Sequence, residues 1–186
     1  DEHRETMTII VPPLVAEFVV IAEEACFPTD LTVTENLATG DKFEWRVLDE
    51  GGTAATSNSA FPVFKIPSPG VYTVELVTTN SFTGDQKTAT REVTIYDLPM
   101  ASFDVRPTVV YVPDGEVNTF NFSDGATGYN WDFGEGTLSE DEEPSHVYKV
   151  EGAYDITLIA LNDHGNDVVC YDTLVRKITA KQGGVT

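Results

Sequence analysis

The feature that most constrains this chain is an internal repeat. Ala16-Glu-Phe18 is answered by Ala101-Ser-Phe103. Ala38-Thr-Gly40 followed by Phe43-Glu-Trp45 is answered by Ala126-Thr-Gly128 followed by Tyr129-Asn-Trp131. Pro69-Gly-Val-Tyr72 is answered by Glu151-Gly-Ala-Tyr154, and Arg91-Glu-Val-Thr-Ile95 by Arg176-Lys-Ile-Thr179. The order is kept and the spacings drift by only a few residues, as when one structural unit is used twice. A unit of about 85 residues is long enough to bury a core of its own. The 186 residues hold two of them.

Within each unit the apolar residues alternate with polar ones. Val71-Tyr-Thr-Val-Glu-Leu-Val-Thr-Thr79, Thr90-Arg-Glu-Val-Thr-Ile-Tyr96 and Asp155-Ile-Thr-Leu-Ile-Ala-Leu161 are rich in β-branched and aromatic side chains. That period of two belongs to half-buried strands. Turn signals separate the runs, among them Glu50-Gly-Gly52, Pro67-Ser-Pro-Gly70, Pro113-Asp-Gly115 and Ser123-Asp-Gly125. No window carries a clean helical stripe. Many short strands with such punctuation make a sandwich or a barrel.

The charge narrows the function classes. Eleven Lys and Arg stand against 31 Asp and Glu, a net charge of −20. Nucleic acid needs a cationic face, so it is excluded as a partner. An anionic membrane surface is disfavoured for the same reason. The same charge keeps the chain soluble and opposes self-association. The 41% hydrophobic content nevertheless supplies enough apolar surface for folding. No apolar run is long enough to span a membrane. Catalytic patterns are missing too: there is no Gly-x-Ser-x-Gly, no phosphate-binding glycine loop, and only three scattered His. The expectation is a chain that is not an enzyme.

The second copy resembles a known family. Trp131-Asp-Phe-Gly-Glu-Gly136, Glu143-Pro-Ser-His-Val-Tyr148 and Glu151-Gly-Ala-Tyr-Asp-Ile156 are similar to the three ordered motifs of the polycystic-kidney-disease (PKD) repeat, with Glu135 where the family has Asp. The first copy is degenerate: Trp45-Arg-Val-Leu48 lacks the Asp-Phe-Gly element and no His-x-Tyr appears, but Pro69-Gly-Val-Tyr72 is kept. The expected fold is therefore all-β, with two tandem immunoglobulin-like sandwiches of PKD type, each of seven strands. Residues 16–97 form the degenerate copy, 98–182 the PKD domain and 183–186 a tail. Residues 1–15 read either as an acidic leader or as the last strand of a preceding repeat.

The resemblance implies an extracellular setting on a bacterial, Bacteroidota-type cell surface associated with the outer membrane. It implies a spacer or adhesion segment of an adhesin or gliding-motility protein, whose partners are the other domains of a longer parent. A surface glycan-binding lipoprotein and an accessory module of a secreted hydrolase are the alternatives, with polysaccharide or a cell-surface protein as ligand. Cys26 and Cys170 fall one to each copy, and a bond across an extended tandem would need Cα atoms within about 7 Å. Two unpaired thiols are expected, and no disulfide.

The remaining candidates are read as structural. Trp45 and Trp131 occupy matching places, which suits a core anchor between sheets better than a sugar platform. Tyr72 and Tyr154, each two residues after a turn Gly, look like the corner tyrosine of sandwiches. Phe133 is assigned to the core of the second copy, and His146 to a hydrogen bond near the Trp-Asp turn. Asp132, Glu135 and Asp141 lie close enough in sequence to pose a Ca²⁺ alternative, since calcium takes six to eight oxygens. The simpler reading is a capped turn in a solvated acidic loop, with no cofactor.

Overall fold

The structure is a computed structural model and describes residues 12–183. Of the leader-or-strand expectation for residues 1–15, residues 1–11 fall outside the described residues, as do residues 184–186 of the expected 183–186 tail. By compactness the chain divides into two units, residues 1–95 and 96–186.

The first unit contains β1 (Phe18–Val20), β2 (Glu24–Cys26), β3 (Asp30–Asn36), β4 (Lys42–Asp49), β5 (Gly52–Ser57), β6 (Val63–Lys65), β7 (Gly70–Thr79) and β8 (Gln86–Tyr96). The second contains β9 (Phe103–Arg106), β10 (Val109–Val112), β11 (Gly115–Asn121), β12 (Gly128–Asp132), β13 (Leu138–Ser139), β14 (Ser145–Tyr148), β15 (Gly152–Asp163) and β16 (Val169–Gln182). Each unit is a three-stranded sheet facing a five-stranded one. The orders β1-β3-β6 and β2-β8-β7-β4-β5 recur as β9-β11-β14 and β10-β16-β15-β12-β13. Every strand thus maps onto the strand eight places later, and the repeat in the sequence is a repeat of topology.

Eight segments appear where seven were expected because the first strand is divided between the sheets. β9 lies antiparallel to β11, then β10 crosses over and runs parallel to β16. The break falls at Pro107, whose missing N–H cannot serve a ladder.

Alternation decides what is buried. Tyr72, Val74 and Leu76 of β7 and Ile156, Leu158 and Ala160 of β15 are all at most 1% exposed. Each core is built around its own tryptophan. Phe18 meets Trp45 edge-on at 5.0 Å and 82°, and Phe103 meets Trp131 at 4.9 Å and 82°. Such pairs add about 0.5–1.5 kcal/mol beyond their burial. The indole N–H groups are satisfied by the carbonyls of Ser59 and Asp141, each at 2.9 Å. Both corner tyrosines donate four residues back, Tyr72 to the Ser68 carbonyl at 2.7 Å and Tyr154 to that of Val150 at 2.9 Å.

Two matching asparagines fix the register. Asn36 Nδ2 donates to the Ala60 carbonyl and Asn121 Nδ2 to that of Glu142. The copies differ beside them: Val19 pairs with Glu35 but Val20 pairs with Val33, so Thr34 is an extra, bulged residue that β11 lacks. Among the described residues no helix is long and apolar enough to cross a membrane.

The expectation for the cysteines is corrected. No cysteine is free, and Cys26 and Cys170 are both disulfide-bonded. The expectation of unpaired thiols rested on there being one cysteine in each copy, and that count does not decide their bonding.

Candidate functional site

The motif residues of the second unit converge at the turn that follows β12. Asp132 Oδ1 accepts the Gly134 N–H at 2.8 Å, and Phe133 N–H donates to the Thr137 carbonyl at 3.1 Å. Gly134 has φ +81°, and a Cβ there would lie 2.8 Å from the Asp155 carbonyl oxygen. The turn therefore requires glycine on two separate grounds, backbone handedness and close approach. Sequence alone supplies the residues of this turn; β14 and β15 supply what it packs against.

Beneath the turn lies a stack of rings. Phe133 stacks on the His146 imidazole at 4.5 Å, His146 meets Tyr148 edge-on at 4.6 Å, and Tyr148 stacks on Tyr154 at 4.3 Å. The Tyr148 hydroxyl is buried and donates to the Phe133 carbonyl at 2.8 Å. His146 Nε2 and Glu135 Oε1 are 2.8 Å apart, with the imidazole side chain only 10% exposed. Burial pushes the Tyr148 phenol well above its ordinary range, and the nearby Glu135 carboxylate adds to the effect. Rings, hydroxyl and carboxylate thus clamp the turn to the sandwich.

The chemistry open to this cluster is limited. The His146–Glu135 pair has the geometry of a base with its orienting acid, and nucleophilic catalysis would need a side-chain nucleophile beside it as well. The Tyr148 hydroxyl is committed to a backbone carbonyl, and its acidity is lowered rather than raised. The three carboxylates considered for calcium are engaged separately: Asp132 with Gly134, Glu135 with His146, and Asp141 Oδ2 with the Ser139 hydroxyl at 3.1 Å. Among the described residues no group of three or more His, Cys, Asp or Glu is arranged to hold a metal ion.

The first unit keeps the frame and loses the clamp. Val33 N–H donates to the Pro62 carbonyl, and Thr119 N–H to the Pro144 carbonyl, which aligns β6 with β14. Phe64 then stands where His146 does, Ile66 where Tyr148 does, and Val47 where Phe133 does, all buried. With no second tyrosine stacked on it, Tyr72 is 1% exposed.

Sequence reasoning missed a groove of about 400 Å³ on the outer face of the five-stranded sheet of the second unit. Asn130, Asp132, Leu138, Glu140, Thr157 and Ile159 line it. Asp132 pairs with both Leu138 and Thr157, and Asn130 with Ile159, so these are neighbours across three strands. The outward half of the period-two pattern held this signal, but it does not say which strands become neighbours. Tyr111 and Tyr171 are exposed on the same face. Tyr111 pairs with Lys181, which puts Tyr171 ten residues away along β16, or about 33 Å. They form no continuous aromatic row.

Residues 105–178 match the family model of the PKD domain. A stretch of 58 residues is 40% identical to collagenase ColQ1 of Bacillus cereus (strain Q1), covering 31% of this chain and 6% of that protein. The PKD1 domain of the Vibrio cholerae metalloprotease PrtV is 28% identical and covers 46% of this chain and 99% of its own, with a TM-score of 0.38. The PKD1 domain of Vibrio anguillarum Epp is also 28% identical, covering 46% of this chain and 96% of its own at 0.39. The fibronectin(III)-like modules of Clostridium thermocellum CbhA are 15% identical over 89% of this chain and 95% of theirs, at 0.44.

Proposed function

We propose that this chain is a non-catalytic spacer and adhesion segment of a longer, exported bacterial cell-surface protein, in which two sandwiches hold and present a binding region. One observation carries this reading: the residues that most resemble a reaction centre, Glu135, His146 and Tyr148, are consumed in clamping a turn to the core. The buried tryptophans and the wide separation of Tyr111 from Tyr171 favour a spacer over a glycan-binding face. Adhesins and gliding-motility proteins are the parents such a segment suits, and the extracellular side of the outer membrane is where it would work.

A second reading, an accessory module of a secreted hydrolase, is favoured by the stretch shared with a collagenase. One experiment tests both. The purified chain is incubated with insoluble chitin, cellulose, peptidoglycan and fibrillar collagen, then pelleted. The spacer reading expects the protein to stay in the supernatant with every support. Retention on collagen alone would move the conclusion to the accessory module, and saturable retention on a polysaccharide would reject the spacer.

A further inference from the structure

The groove on the outer face of the five-stranded sheet of the second unit has a counterpart in the first, because the two sheets share one register. Trp131 pairs with Ser139 as Trp45 does with Ser57, and Asp132 pairs with Thr157 as Arg46 does with Glu75. The lining residues Asn130, Asp132, Leu138, Glu140, Thr157 and Ile159 therefore answer, in that order, Glu44, Arg46, Thr56, Asn58, Glu75 and Val77. In the first unit a cation stands on this face: Arg46 Nη1 bonds Glu75 Oε1 at 3.2 Å, from β4 to β7. In the second unit Asp132 takes the place of Arg46, and the groove is lined by two carboxylates and no cation. Among the described residues Asp132 accepts one hydrogen bond, from the Gly134 N–H, and Glu140 makes none. Lys177 stands one row further along the sheet, where Asp155 holds it at 3.5 Å.

We propose that this groove takes an arginine side chain from an extended segment of a partner protein. Charge complementarity selects the occupant. A guanidinium presents its donors in a planar fork that suits carboxylates, and it rides on an apolar stem. Asp132 and Glu140 receive the head, while Leu138, 72% exposed, and Ile159 flank the stem. A hard metal ion would instead want six or more oxygens and no apolar wall. The volume of about 400 Å³ lies within the range of about 300–1,000 Å³ that ligand clefts occupy. β13 is the outermost strand of its sheet, so the groove opens at an edge along which an extended segment can lie. The first unit thus supplies from within the cation that the second draws from a partner. The groove is the same whether the parent is a surface protein or a hydrolase, so its occupant does not depend on the parent.

The test titrates a capped peptide of serine and threonine with one central arginine into the isotope-labelled full chain, followed by amide chemical shifts. Residues 130–132, 138–140 and 157–159 should shift together, with a dissociation constant on the order of 1 mM in dilute buffer. Binding should weaken several-fold in about 0.5 M NaCl, where the Debye length falls to about 4 Å. The same peptide with citrulline, neutral and of the same shape, should not saturate over that range. Asp132→Asn keeps an oxygen for the Gly134 N–H, and Glu140→Gln has no bond to lose. Each should weaken binding about threefold to fivefold, with circular dichroism checking the fold. Asp132→Arg, which installs the first unit's own cation, should abolish it. No shift at about 5 mM peptide, shifts spread over the acidic surface at large, or an equal response to the citrulline peptide would overturn the proposal. So would folded Asn and Gln variants that bind like the wild type, or a tighter response to a glucosamine tetramer than to the peptide.

Discussion

Removing the Tyr148 hydroxyl tests whether the ring stack is a clamp. The hydroxyl is fully buried and gives its proton to the Phe133 carbonyl at 2.8 Å. Tyr148→Phe keeps the ring contacts with His146 and Tyr154 but leaves that carbonyl without a donor. An orphaned buried acceptor costs about 1–3 kcal/mol. Tyr154→Phe removes a bond of similar length, but at an exposed site where water takes over, and should cost about 0.5 kcal/mol. In a unit of this size each kcal/mol moves the melting point by about 4–8 °C. A Trp45→Phe background leaves Trp131 as the only indole, so its fluorescence follows the second unit alone through a denaturant titration. The pH dependence adds a check. Burial raises the folded phenol above the value near 10 of an unfolded chain. The neutral hydroxyl's contribution is thus intact below about pH 10 and is lost as pH rises through the folded value. The stability gap between wild type and Tyr148→Phe should narrow in alkali. A Tyr148→Phe cost no larger than that of Tyr154→Phe, or a gap indifferent to alkali, would refute the reasoning.

Three further outcomes follow from named contacts. Gly134→Ala must bear both a left-handed φ and a Cβ 2.8 Å from a backbone oxygen, whereas Gly84→Ala, at φ +79° with open space around it, bears only the first. Melting should show about 1 kcal/mol lost at Gly84 and clearly more at Gly134. Thr78 Oγ1 is buried in the first unit without a partner, so Thr78→Val should be neutral or raise stability by about 1 kcal/mol in urea titration. Because both cysteines are disulfide-bonded, denatured protein should take up a thiol reagent only after reduction; uptake without reductant would contradict the bonding.

The architecture was legible because the sequence states it twice. A lone match between Ala16-Glu-Phe18 and Ala101-Ser-Phe103 would mean little, but four matches in order leave one topology to be used two times. Alternation supplied the strands, and the tryptophans and tyrosines marked the centre of each core. Pairing between distant segments stayed hidden. Nothing in β12 announces that Asp132 lies between Leu138 and Thr157, so the outer groove could not be foreseen. The division of the first strand was also missed, since Pro107 reads equally well as an ordinary turn residue. The cysteines failed for a different reason: one thiol per copy in the sequence says nothing of whether either is bonded, and both are.

Comparing the copies separates what the fold needs from what one unit adds. Both retain the Phe–Trp pair, the capped indole, the corner tyrosine and the register asparagine. These contacts tie one sheet or turn to the next in both copies and so belong to the frame they share. The turn clamp appears only in the second copy, where His146 and Tyr148 replace the Phe64 and Ile66 of the first. A buried apolar pair stabilises without specifying a loop, whereas a histidine and a tyrosine must each find a partner, and they find it in the turn. The first copy is freed from that turn and differs instead on its outer face, where Val19, Ile21, Phe61 and Val63 stand for Asp104, Arg106, Glu143 and Ser145, while Glu35 and Lys65 stand for the exposed Phe120 and Val147: apolar and charged places are exchanged, and the sheet keeps a mixed face in both copies.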